Sequence, residues 1–512
     1  TVEMGETESQ SEGRHANGVV GDETGSVNLS VVEFGAQGLE EETPAVEEDV
    51  EAGKKCDSSI AIVEGNKIRP INADNVLPMR NFYATVYSFN MFTVTDGAIR
   101  VIVLLHANAL NFTPIAIALM FTLYELMGVF TNLFGGIAGT RWGLKCTLFT
   151  SLFLQLVGLG LLMAVGPLFG YEYSDMTSRD RLNLLIYITF CQALSGVSKD
   201  FMKLSCKSIP KLVTKEGQNG RLFKYVAWVT GMKNSLKGFG YIVGAVLVEV
   251  SSFEIAVGVL IGIILIIFPV PALYMDWGIG MGSRKDARFS MAVFKKPWNI
   301  NVLSLARFFL FGSRDVWFEI AAPLFIRVVL AWPEFTVGLF MGGYIILYGN
   351  LQTFASALYK ENNGGKNRFF KGPPTEKHVW TWSIASFVLL AVWGTGLFFS
   401  YRNLVSTNNR IASATVLLIG LFVYAFFFAT NSAIHSYLIV LYAGKDKLTM
   451  DMGFYYMANA MGRLVGTILS GVIYQFTVEY FGLSMCMWVA AVFMLLAAIS
   501  SRYLRPIENT LA

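Results

Sequence analysis

The sequence predicts an all-α membrane protein with twelve transmembrane helices in two six-helix halves. Three observations lead there. Apolar side chains make up 54% of the 512 residues and charged ones 15%, with a mean hydropathy of +0.50, a balance that soluble domains do not show. Apolar stretches long enough to cross a hydrocarbon core, about 20 residues at ~1.5 Å rise, recur from residue 80 to the end of the chain. After the sixth stretch a basic segment intervenes, Gly282 to Arg288 and then Lys295-Lys296-Pro297.

Residues 1–78 read as a disordered acidic cytoplasmic tail, with Glu40-Glu41-Glu42, Glu47-Glu48-Asp49 and no apolar periodicity. The chain opens on Thr1 rather than Met, so a targeting peptide ahead of it would not be visible. The N-terminal half covers 79–275, with spans near 82–107, 114–138, 143–165, 182–207, 222–248 and 253–274. A basic cytoplasmic linker, 276–298, separates it from the C-terminal half, 299–505. The spans of that half lie near 300–328, 335–358, 379–400, 411–440, 452–476 and 481–503, and 506–512 form a short tail.

Basic residues set the orientation. Arg141, Lys145, Lys211, Lys215, Arg221, the linker, Lys366, Arg368, Lys371, Lys377, Lys445 and Lys447 share one side, against Arg179, Arg181, Arg402 and Arg410 on the other. The positive-inside rule therefore places both termini in the cytoplasm. The sequon Asn111-Phe112-Thr113 lies in a very short outer turn, too close to the membrane for ready use.

The five cysteines form no CxxC pair and no His/Cys cluster with metal-ligand spacing, so neither a metal nor another cofactor is expected. GxSxG, HExxH and P-loop patterns do not stand out in a supporting context, which argues against an enzyme. Nothing in the chain suggests a nucleic-acid partner; the partners expected are the lipid bilayer and a small anion. Oligomeric state is not encoded in any readable pattern.

The interior charges carry the functional reading. Eight cations fall well inside predicted spans: Arg100, Lys199, Lys203, Lys233, Lys237, Arg307, Arg314 and Arg463. Five acids join them: Asp96, Glu125, Asp200, Asp315 and Glu319. At about 2.5–3.5 kcal/mol for each charge at a helix centre, exposing them all to lipid would exceed an ordinary folding stability of about 5–15 kcal/mol. They must face protein, water or ligand, and the surplus of cations needs an anion.

Spacing sharpens this. Lys199, Lys203 and Lys207 stand at i, i+4 and i+8 on one helix face, continued by Ser195 and Gln192, and Lys233 and Lys237 repeat the device on the next span. Two lysine stripes can converge on one cavity, where arginine forks offer bidentate bonds to oxyanions. The residues expected to bind the anion are Arg100, Lys199, Lys203, Lys233, Asn234, Lys237, Arg314, Asn431, Asn459 and Arg463. Coupling or gating is expected of Asp96, Glu125, Asp315, His435 and Arg141. Lys207, Lys224 and Arg307, near span ends, can instead snorkel toward the headgroups, and Asp96 with Arg100 can be a structural i,i+4 pair.

The halves echo each other weakly, as parallel repeats would. Spans one and seven carry Asp96 with Arg100 and Arg314 with Asp315; spans five and eleven carry Asn234 before Lys237-Gly238 and Asn459 before Gly462-Arg463. Between spans two and three, Gly136-Ile-Ala-Gly-Thr-Arg141-Trp-Gly143-Leu-Lys145 resembles the loop signature of the major facilitator superfamily. Thr140 stands where that signature has an aspartate, which removes the acid of its usual gating salt bridge.

Within that superfamily the chain resembles the organoarsenical efflux permeases of ArsJ type. The resembling stretches are Thr95 to Arg100; Tyr124-Glu125 with Gly128-Val129 and Thr131-Asn132-Leu133; Gln192 to Gly196 with Lys199-Asp200, Lys203 and Lys207-Ser208; Thr230 to Gly238; and Ala306-Arg307 through Phe318. The resemblance runs from about residue 80 to about 505 and leaves the tail without a counterpart. It implies a secondary transporter in the plasma membrane that exports 1-arseno-3-phosphoglycerate by alternating access, giving arsenate resistance. It also implies a functional link to glyceraldehyde-3-phosphate dehydrogenase, which makes that compound when arsenate replaces phosphate. Two other readings stay open: a transporter of phosphate or another organic phosphate, and a non-transporting membrane sensor that signals through the acidic tail.

Overall fold

The computed structural model describes residues 61–64, 67–70, 76–110, 112, 114–170, 177–281, 295–359 and 369–506, all within the compact unit Asp57–Ala512. Inside the segment expected to be a disordered tail, Ala61–Glu64 (β1) and Lys67–Pro70 (β2) pair as an antiparallel hairpin. The acidic runs, the sequon ends Asn111 and Thr113, linker residues 282–294, Lys366 and Arg368 lie outside the described residues.

Among the described residues, twelve membrane-length helices follow. They are α1 (Met79–Ala109), α2 (114–142), α3 (144–163), α4 (Ser178–Leu212), α5 (Asn219–Val250) and α6 (Phe253–Ile267, resumed by Pro269–Tyr274). The second six are α7 (Trp298–Phe318), α8 (Glu334–Phe354), α9 (Glu376–Thr407), α10 (Arg410–Tyr442), α11 (Leu448–Phe481) and α12 (Ser484–Ser501). Gly143 separates α2 from α3 with φ 81° and ψ 169°, a left-handed conformation that ends one helix and lets the next begin at once. Among the described residues, seven helical runs are long and apolar enough to span a bilayer by length and composition. The chain is an integral membrane protein. Helices α4, α5 and α7, which carry most of the interior cations, are not among those seven runs.

An even number of spans puts both ends of the bundle on one face, here called the terminal face; the other is the distal face. Each half has its own apolar core, one gathering Phe89, Ile102, Leu148 and Leu260, the other Trp317, Trp393, Tyr424 and Met487. The packing repeats from half to half: α1 lies on α5 as α7 lies on α11, and α3 and α4 pair as α9 and α10 do. Two long seams join the halves, α5 on α8 and α2 on α11, each the counterpart of the other. Gly453 lets α11 approach α2 so closely that a Cβ there would stand 2.9 Å from the Gly136 Cα.

A third apolar cluster belongs to both halves. Leu204, Phe223 and Val226 pack with Ile300, Tyr437, Leu448 and Tyr455 near the terminal face. Thr140 and Thr449 hydroxyls meet at 2.9 Å beside it, and Lys211 donates to the Leu441 carbonyl at 3.0 Å and to that of Ala443. Lys445 pairs with Glu216 at 2.6 Å across the same boundary. Together these contacts close the terminal side.

Candidate functional site

At mid-membrane the polar side chains form one ion network that crosses between the halves. Glu125 of α2 is its hub: Arg100 Nη2 of α1 stands 2.9 Å from Oε1, Arg463 Nη1 of α11 3.2 Å from Oε2, and Lys199 Nζ of α4 4.0 Å from Oε1. Arg463 also donates through Nε to Asp315 Oδ2 at 3.0 Å and through Nη2 to Glu319 Oε1 at 3.2 Å. Arg314 Nε completes the set on Asp315 Oδ1 at 2.6 Å. The Tyr124 ring lies beneath both Arg100 (4.1 Å) and Lys199 (3.8 Å), and its hydroxyl donates to Asp96 Oδ1 at 2.6 Å.

Local structure places these groups. Glu319 sits where α7 breaks, between Phe318 and the short turn Ala321–Leu324 that runs into a π turn, Phe325–Val329. Such breaks turn side chains off the regular helix face, and this one points a carboxylate at Arg463. The Ala321 N–H, freed by the break, donates to Ser470 Oγ at 3.1 Å.

Toward the terminal face the character changes to cations without acids. Lys203 pairs with Asp200. Among the described residues Lys207, Lys233, Lys237 and Arg307 have no carboxylate within salt-bridge distance. Lys207 and Arg307 are only 6% and 2% exposed, so neither snorkels; Lys224, by contrast, is exposed. Lys207 neighbours Lys233, Arg307 and Lys203, and Lys233 in turn neighbours Lys237 and Lys199, so like charges run from the terminal side to the central network. Arg307 is held by neutral groups: Asn459 Oδ1 at 3.0 Å and the Ser432 carbonyl and hydroxyl, both at 3.2 Å. A relay continues from Ser432 to Gln352 Nε2 at 3.1 Å and from Gln352 Oε1 to Asn234 Nδ2 at 2.6 Å, joining α10, α8 and α5.

Several sequence expectations change here. Asp96 and Arg100 do not pair with each other, because Tyr124 takes the first and Glu125 the second. Glu125, expected to couple or gate, is a carboxylate shared by three cations. Asn431 is turned into the C-terminal half, donating to Ser383 Oγ at 3.0 Å, and Arg141 is exposed near the terminal face; neither joins the others. His435 is fully buried near Arg307 with both ring nitrogens unpartnered. Thr140 replaces the expected acid with a hydroxyl pair to Thr449.

No protein-family model matches the chain, and no curated protein matches its sequence. Solved structures do match. Over 83% of this chain, a bacterial homologue of the iron transporter ferroportin in an outward-facing state superposes with a TM-score of 0.63 at 11% identity, covering 99% of its own length. The proton:xylose symporter XylE, bound to 6-bromo-6-deoxy-D-glucose, gives 0.61 at 12% identity over 83% of this chain and 96% of its own. The human organic anion transporter MFSD10 (TETRAN) gives 0.60 at 13% identity, over 83% and 100%. The chain has the major facilitator superfamily fold. The ion network and the cations without carboxylate partners stand on helices of both halves, α1, α2, α4 and α5 in one and α7 and α11 in the other.

Tyr124, Glu319, Arg307, Gln352 and Ser432 belong to this arrangement, yet none was among the residues expected to bind or gate. Glu319 carried a usable signal, an acid inside an apolar span. The tyrosine, glutamine and serine have no spacing that marks them apart from ordinary helix packing.

Proposed function

We propose that this chain is a secondary transporter that moves an organic oxyanion across the membrane by alternating access. The observation that carries the proposal is the group Lys207, Lys233 and Arg307, cations between the halves with no carboxylate within ion-pair distance among the described residues, continued by Lys237 beside the central network. An unpaired buried charge costs several kcal/mol, and an anionic cargo is what would offset that cost. Closure on the terminal side and a seam on each flank suit rocking of one half against the other.

The cargo that the sequence resemblance favours is 1-arseno-3-phosphoglycerate. A compound with oxyanion chemistry at both ends matches a row of cations that runs from the terminal side to the central network. Pentavalent, oxygen-bound arsenic also needs no thiolate, consistent with Cys191, Cys206 and Cys486 being buried in helix packing. Export from the cytoplasm would confer arsenate resistance and tie the chain to glyceraldehyde-3-phosphate dehydrogenase. Arsenate tolerance and arsenic retention in cells expressing the chain, with and without that dehydrogenase, test this cargo. Resistance that persists without the dehydrogenase removes the named compound. Uptake into proteoliposomes that 3-phosphoglycerate inhibits with no arsenate present would favour a general organic phosphate.

A further inference from the structure

We infer that the terminal end of this row of cations is a subsite for a tetrahedral oxyanion, built on Arg307 and Lys207, so that the cargo lies with its phosphoryl-type end toward the terminal face. This rests on the anion-transport reading and adds the cargo's orientation.

Unmet hydrogen-bonding capacity marks the place. His435 Nδ1 and Nε2, the Tyr455 and Tyr456 hydroxyls and Ser304 Oγ are all without partners, on residues no more than 3% exposed. Arg307 is a close electrostatic neighbour of His435, Tyr455 and Tyr456, and Ser304 precedes it by one turn of α7. Lys207 Nζ stands 4.7 Å from the Tyr456 ring centroid, and Lys203 4.9 Å from the same ring. A buried polar group left unmet costs about 1–3 kcal/mol. So many together, around two acid-free cations, describe a site shaped for a guest.

The donor set says which guest. A guanidinium fork, an ammonium and two phenol hydroxyls offer hydrogens from several directions, as the three terminal oxygens of a phosphoryl or arsenyl group require. The acids on the helices around it are taken: Asp200 by Lys203, and Asp451, one turn before Tyr455, by Lys296. The central network is the opposite case: its arginines are already met by Glu125, Asp315 and Glu319, so it offers a dianion less than the acid-free cations do. The less charged end of the cargo therefore faces that network. The subsite also adjoins the contacts that close the terminal side, its Tyr455 and Tyr456 being members of that apolar cluster. Opening on that side exposes it first.

The full-length chain in nanodiscs, titrated calorimetrically with inorganic phosphate, with 3-phosphoglycerate and with glycerate, tests the assignment. Lys207 makes no protein hydrogen bond, so Lys207→Gln should fold normally and weaken phosphate and 3-phosphoglycerate by about tenfold or more, the worth of one charged hydrogen bond, while leaving glycerate unchanged. Arg307→Gln should do the same, Arg307→Lys should recover part, and the exposed Lys224→Gln should have no effect. Phosphate affinity unchanged in Lys207→Gln and Arg307→Gln overturns the subsite, as does an equal loss for glycerate. Proteoliposome flux separates the two readings. Flux of 3-phosphoglycerate with the same KM in Lys207→Gln and the native chain sinks the subsite and keeps the transporter. Phosphate binding that follows the predicted pattern without any flux sinks the transporter and keeps the subsite.

Discussion

Glu125 touches cations from three helices, and its neighbours show why single residues in this network are not interchangeable. Removing its charge leaves Arg100, Lys199 and Arg463 with less acid than they need. Glu125→Gln should lower stability by about 3 kcal/mol, the low end for a broken buried pair because the partners are 13 to 18% exposed. Thermal unfolding in detergent measures it, and Glu125→Gln/Arg100→Gln should recover part of the loss, Glu125 being the acid that Arg100 pairs with; equal losses in both would show that the pair is not coupled. The unpaired cations predict the reverse sign. Lys233→Gln removes an uncompensated charge, so the unliganded protein should become more stable while KM for an oxyanion rises about tenfold. Lower stability in Lys233→Gln would mean that a partner balances the lysine in the empty protein. The residues of this scale that sequence pattern revealed are those whose charge is out of place in a membrane. Tyr124, Gln352 and Ser432 stayed hidden because such side chains are ordinary in helices until a neighbouring helix supplies their partners.

Among the elements, the seams α2–α11 and α5–α8 control the closed terminal side. Both depend on glycine: a Cβ on Gly136 would stand 2.8 Å from the Thr449 carbonyl oxygen, and one on Gly231 2.5 Å from that of Gly349. Gly136→Val should therefore wedge α2 from α11 and lengthen the distance between spin labels at Lys215→Cys and Gly444→Cys, read by pulsed electron resonance. An unchanged distance would show that the seam has slack. Helix existence and order were legible because apolar length alone specifies a span. The break at Glu319 lies four residues before Pro323, whose ring excludes the Glu319 carbonyl from the helical ladder, a mark that apolar length alone passes over; tertiary bonding from Ala321 to Ser470 then holds the break, and the π turn after it has no such mark in the sequence.

For the molecule as a whole, the question is what holds the terminal side shut. Outside the spans, the Lys445 ammonium hydrogen-bonded to Glu216 holds that carboxyl below its ordinary value. A lowered carboxyl favours the paired, closed form fully above the ordinary glutamate range, and that contribution is lost as pH falls through the lowered value. The spin-label distance between 215 and 444 should lengthen as pH drops below the ordinary range, and Glu216→Gln should remove that pH response. A pH response that survives Glu216→Gln would assign the closure to other groups. The pair is largely exposed, 39% and 69%, so the apolar cluster of both halves carries the larger share of closure.

Hydropathy and charge determined the membrane class, the twelve spans and the presence of more interior cations than acids, because each of these is a property of composition along one helix. Which cation meets which acid was decided by tertiary structure alone. Asp96 and Arg100 are one helical turn apart and yet bond to different residues of α2, since the helix beside them brings Tyr124 and Glu125 to hand. Likewise Arg307 and Lys207 lie near span ends, where a lone helix would let them reach water. Packing of the two halves at the terminal face buries them instead, without acids, beside unpartnered phenols and His435.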